Sequence, residues 1–247
     1  MFGLLLGVNA GAQTGATSSS TKITASGVWH PPQDVFTKAS KFCQTGAGPA
    51  SFSVCYMNQL AAQGEPPDAV TFTRWLYDHF DQNLGIMTAF RSYAPVDAAQ
   101  VMIPLRANDN DALLLVNGDP SVVNVDDFQK LDRATMEQDS LFQAIKQKYP
   151  KVELFPGDRS GSNPWPRVQP LPNGGTRFIV TYPLLDGCHA CQSLGLARFG
   201  WDFDAKGKFL HTTYIPTPPP PKLLPRPRHP ATTPPLQPPS APPSSPQ

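Results

Sequence analysis

The 247-residue chain predicts an α+β fold in one domain over residues 28–215, with N-terminal helices packed on an antiparallel sheet of about six strands and one further helix between two β-meanders. Three observations predict it. Apolar residues recur at helical spacing through residues 28–83, the period falls towards two from Ile86 onward, and the two kinds of segment are segregated along the chain. No internal repeat of fixed period is present.

The elements follow in order. In "PPQDVFTKASKFC", Pro31 and Pro32 precede Val35, Phe36, Ala39 and Phe42, which share one helical face, and proline is tolerated in a first turn. "PASFSVCYMNQLAAQG" sets Phe52, Cys55, Tyr56 and Leu60 on one face and ends at Gly64, a residue suited to closing a helix. "PPDAVTFTRWLYDHFDQNLG" repeats the pattern with Phe72, Trp75, Leu76 and Phe80. Three short helices are expected here. Three antiparallel strands should then run over Val101–Leu105, Leu113–Val116 and Val122–Val125. Asn117-Gly118 suits a type I′ turn between the last two, and Pro104 puts the first at an edge or bulge. Next comes one helix capped by Asp126 or Asp127, with Phe128, Leu131, Leu141, Phe142 and Ile145 on its apolar side, lysines in its last turn and Pro150 at its end. Residues 157–175 read as a long loop. A second meander follows in "TRFIVTYPLL", "LGLARFGWDFD" and "KFLHTTYI", where Phe199, Trp201 and Phe203 alternate with Gly200 and Asp202 as a strand with one buried face requires.

The ends have a different character. Residues 216–247 hold 15 of the 30 prolines and three formal charges, Lys222, Arg226 and Arg228, with few large apolar side chains. Such a segment cannot bury enough surface to offset its ordering entropy, so a disordered, polyproline-like tail is expected. At the other end, an apolar run from Phe2 to Val8 leads into Ala10-Gly11-Ala12. This is the pattern of a signal peptide meeting its cleavage site, although the basic start is missing and an upstream initiation would supply it. Residues 1–12 are therefore read as signal-peptide-like, and 13–27 as a flexible Ser/Thr-rich start to the mature chain. No other stretch approaches the roughly 18 apolar residues of a membrane span.

Without its tail the chain carries 17 basic and 19 acidic residues, and no basic stripe is interleaved with aromatics, which argues against a nucleic-acid partner. An exported chain lives in an oxidising compartment, so Cys43, Cys55, Cys188 and Cys191 read first as two disulfides. Of the three possible pairings, the two local ones are expected. A Cys43–Cys55 bridge would tie the first helix to the second and contribute about 3 kcal/mol through the closed loop.

"LLDGCHACQ" holds the sharpest motif, a C-x-x-C of Cys188 and Cys191 with His189 between them. In a thioredoxin-like protein this motif caps a helix whose exposed amides stabilise the thiolate. Here Gly195, Gly200 and a period of two follow instead, which makes the motif a cysteine-stapled hairpin loop. A zinc site lacks its second close ligand pair, with His189 and His211 as the only conceivable supplements, and covalent haem would need histidine where Gln192 stands. The acidic turns "NDNDA" and "DFDAKG" lack the distal glutamate of a calcium loop, and turn chemistry explains them. No metal and no cofactor is therefore expected.

Templates for a serine elbow, a phosphate loop, a dinucleotide fingerprint and a zinc protease are all absent. His79 and the "GDRSGS" loop do not form a recognisable catalytic set, so any hydrolase would need a dispersed site. In "NPWPRV", Trp165 sits between Pro164 and Pro166 beside Arg167, and these two residues are the binding candidates, with Trp165 alternatively folded back over the core. The expected function is an exported, non-catalytic binding or cell-envelope-associated domain, whose partner is an envelope component or a protein of unknown identity. The alternative is thiol-disulfide exchange by Cys188 and Cys191 assisted by His189.

Overall fold

The computed structural model describes residues 21–45, 51–105, 110–157 and 164–216. The signal-like segment 1–12, most of the 13–27 segment and the tail beyond Pro216 lie outside the described residues. Residues 21–27, assigned to a flexible start by composition, carry Ile23 into the core, and its backbone N–H and C=O both bond the Asn117 side chain at 2.8 Å.

The three expected helices form: α1 over Gln33–Gln44, α2 over Phe52–Ala62 and α3 over Pro67–His79. Each starts where its sequence allows. Pro32 precedes α1, the Ser51 hydroxyl accepts from the Val54 N–H, and Pro67 occupies the first turn of α3, where a missing N–H costs nothing. Past α2, Gly64 takes φ of +99°, the left-handed closure that favours glycine. Cys43 bonds Cys55 with Cα atoms 5.8 Å apart, fastening α1 to α2.

Among the described residues the strands make two antiparallel sheets, of four and five strands. Sheet one runs in the order β1 (Ile86–Arg91), β2 (Asp97–Met102), β3 (Asp111–Val116) and β4 (Val122–Asn124). Its first two strands depart from expectation. β1 was not anticipated as a strand of its own, and β2 ends before Pro104 because proline has no N–H to give the ladder. The β3–β4 turn is longer than the type I′ turn expected at Asn117-Gly118, since Val116 pairs Val122 across residues 117–121. That loop is engaged elsewhere: the Asp119 N–H donates to Gly207 C=O, and the Phe209 N–H donates to Asp119 C=O.

The single helix expected after Asp126 is three short pieces, a 3₁₀ turn at Phe128–Lys130, α4 at Arg133–Gln138 and α5 at Ser140–Lys148. Aspartates divide it. The carboxylates of Asp127, Asp132 and Asp139 each accept from backbone N–H groups just downstream, so each starts a new turn rather than continuing the last.

Sheet two contains β5 (Val152–Leu154), β6 (Arg167–Pro170), β7 (Thr176–Asp186), β8 (Ser193–Phe203) and β9 (Phe209–Ile215), ordered β5-β7-β8-β9 with β6 also paired to β7. β6 lies inside the stretch expected to be loop. All four of its residues are exposed and the last is proline, so it carries no apolar signature.

Sheet one is covered on both faces. Ala99, Val101, Ala112, Leu114 and Val116 meet Phe72, Trp75 and Leu76 of α3. Ala98, Leu113, Leu115 and Val123 meet Phe178, Val180, Phe199 and Trp201 of sheet two, where Met136 and Phe142 from α4 and α5 also pack. Two-sided burial is why β3 reads as an unbroken Leu113-Leu114-Leu115 run. Two of the large aromatics inside share a polar chain: Trp201 Nε1 donates to Tyr182 Oη at 3.0 Å, and Tyr182 Oη donates to the Val125 C=O.

Candidate functional site

Strand pairing places the expected C-x-x-C. Leu185 opposes Ser193 at the end of the β7–β8 hairpin, and residues 187–192 form its loop. Gly187 takes φ of +75°, its N–H bonds Leu185 C=O, and the Asp186 N–H reaches Gln192 C=O. Cys188 and Cys191 are disulfide-bonded with Cα atoms 5.1 Å apart, and residues 187–192 are exposed. The His189 ring lies edge-on to Phe155 at 5.8 Å. β8 leads out of the loop, so the motif does not cap a helix N-terminus of its own, the usual device for stabilising a thiolate.

The other candidates meet a groove. Trp165 is half-buried and packs against the core between the sheets, with the Arg91 guanidinium 5.6 Å from its ring centroid and 6.0 Å from that of Tyr93. Pro166 is buried and Arg167 is exposed on β6, so the stiff segment folds its aromatic inward and turns its cation outward. Arg167 pairs with Ile179 on β7, and Thr181 pairs with Arg198 on β8. Directly opposed residues share a face. Arg167, Ile179, Thr181 and Arg198 therefore lie on the side of sheet two away from Phe178, Val180 and Phe199. They line a groove of about 560 Å³ with Pro164, Trp165 and Leu196.

Arg198 is the groove residue that sequence reading missed. Its strand was legible, and alternation against Phe199 does place it on the opposite face, but nothing in the sequence says that β6 brings Arg167 to the same face. Arg198 donates from Nη2 to Pro216 C=O at 2.7 Å, while its Nε is shielded from solvent with no acceptor.

The remaining candidates are structural where they can be seen. The His79 ring stacks on Trp75 and its Nδ1 lies 2.8 Å from Trp75 C=O. Asp204 accepts from the N–H groups of Lys206 and Lys208, which closes the β8–β9 turn. Asp202 is clamped by Arg177, with Oδ1 accepting from Nε at 2.7 Å and Oδ2 from Nη2 at 2.6 Å; Thr213 donates to it, and His211 Nε2 is 3.5 Å away. The "GDRSGS" loop beyond Gly157, and Asn108 and Asp109 of the other acidic turn, lie outside the described residues.

Two buried carboxyls have opposite environments. Burial pushes the Asp97 carboxyl up, but hydrogen bonds from Asn117, Ser92 and the Tyr93 and Ala94 N–H groups more than offset this and hold it below the usual range. Burial raises Glu65, and one bond from Thr73 with the nearby Arg74 charge only partly opposes it. Among the described residues no three His, Cys, Asp or Glu side chains gather as metal ligands, and no helix is long and apolar enough to cross a membrane. Comparison with protein-family models, curated proteins and solved structures finds no match to this chain.

Proposed function

We propose that this chain is an exported, non-catalytic binding domain that works at the cell envelope or outside it, and that the groove on sheet two is its binding surface. The groove's lining carries the reading. Two arginines border an apolar floor, and its described residues include no His, Cys, Asp or Glu to move a proton or attack a substrate. The described lining thus offers charge and apolar contact to a ligand. The two disulfides support an oxidising compartment. Cell fractionation tests the reading: a processed N-terminus and intact disulfides in the periplasmic or extracellular fraction are expected, and full-length, uncleaved protein in the cytosol would refute it.

One observation favours the second reading, thiol-disulfide exchange. Cys188 and Cys191 are accessible at a hairpin tip with His189 between them. Titration against a glutathione buffer separates the two: a potential below about −300 mV marks a structural staple, and one in the range of known exchange proteins revives catalysis.

A further inference from the structure

We infer that the groove takes a small organic anion, with a carboxylate or phosphate head between Arg167 and Arg198 and an apolar or ring-shaped body against Trp165 and Ile179. This deepens the binding reading above and rests on it. The volume of about 560 Å³ is that of a site for a single small molecule. The described lining carries charge of one sign: its charged residues are Arg167 and Arg198, and Arg167 has no ion-pair partner among the described residues.

The sheet sets the spacing of the two cations. Arg167 is on β6 and Arg198 on β8, with β7 between them and an offset of two residues from Ile179 to Thr181. Strand separation and rise then put their Cα atoms ~12 Å apart, a gap in which two long side chains frame one oxyanion. Arg198 lines the groove with one Nη2 bond to the Pro216 C=O, and its shielded Nε has no acceptor. The apolar side is held in place before any ligand arrives: prolines flank Trp165, Pro166 is buried, and the Arg91 guanidinium backs the ring. A fixed aromatic wall lowers the ordering cost of binding a flat or apolar body.

The test is titration calorimetry on the full chain at low salt with three probes that share one ring system: 2-naphthoate, 2-naphthyl phosphate and neutral 2-naphthol. Saturable binding of at least one anion is expected, with 2-naphthol weaker by about tenfold or more, as a charge-assisted contact requires. The stronger of the two anions identifies the head group. Arg167→Gln and Arg198→Gln should each weaken the anion by about tenfold, whereas Lys206→Gln, the same charge change at the β8–β9 turn, should not. Arg167 is exposed on an edge strand, so its variant reports on binding even if Arg198→Gln unfolds, which a circular-dichroism melt would reveal. The inference is overturned by equal binding of 2-naphthol, by equal weakening in Lys206→Gln, or by no saturable binding of either anion. None of these outcomes bears on fractionation, so the export reading and the anion site fail separately.

Discussion

Asp202 is 2% exposed, and a carboxylate so placed is costly unless its oxygens are paired. Arg177 bonds both oxygens and Thr213 adds a third bond, and the Arg177 stem lies flat across Gly200, where an added Cβ would come within 2.6 Å of Arg177 Cδ. Removing one partner of a buried pair leaves the other uncompensated, so Asp202→Asn should lower stability by about 3 kcal/mol in urea unfolding. Gly200→Ala, which changes no charge, should displace the same stem and cost about 1–3 kcal/mol. Glu65 gives a prediction with pH. Its folded pKa is raised above the ordinary 4.5, so the folded state binds the proton more tightly than the unfolded chain. That contribution is complete below the unfolded pKa and is lost as pH rises through the folded one. Glu65→Gln should therefore flatten the decline of the melting temperature between pH 4.5 and neutrality. Asp97 acts in the opposite sense: its lowered pKa gives stability above 3.8 that disappears as acid protonates it, so Asp97→Asn should be least harmful at low pH.

At the scale of elements, local chemistry settles what periodicity leaves open. The apolar positions from Phe128 to Ile145 suit one helix, and three capping aspartates break it into pieces. Asp139→Ala, which strips two N–H groups of α5 of their acceptor, should cost about 1 kcal/mol, measured in urea. The helices α1 to α3 and the hairpin β7–β8 were legible because each has a clean period and a marked end. β1 and β6 were not: β1 has neither strict alternation nor a turn signal of its own, and β6 is polar and short. The two disulfides differ in protection. Cys55 is buried between helices while Cys188 and Cys191 are exposed at a loop. Graded dithiothreitol followed by peptide mapping should open Cys188–Cys191 first, and loss of the Cys43–Cys55 bridge by double replacement with serine should cost about 3 kcal/mol.

For the whole molecule, segregated helical and strand segments gave the fold class, but not the division of the nine described strands into two sheets. That division depends on which apolar faces meet, and sequence does not record it when one sheet is buried on both sides. The site was half-legible for the same reason. Trp165 and Arg167 stand out beside their prolines, whereas Arg198 becomes their neighbour only after β6 and β8 flank β7. Two-sided burial has a further consequence for β3. Sliding a strand by one residue normally exposes its apolar side chains to water, and that penalty fixes the pairing. With Ala112 through Val116 buried on both faces, a slip exchanges one apolar wall for the other and the penalty shrinks. The alignment must then be held at the strand's end, where the Asn117 side chain grips both Ile23 backbone groups and donates to Asp97 Oδ2 at 2.6 Å. Asn117→Gly keeps the positive φ that this position needs and removes the grip alone. It should give doubled amide resonances along β3, the mark of a strand that has lost its index pin and occupies two settings in turn.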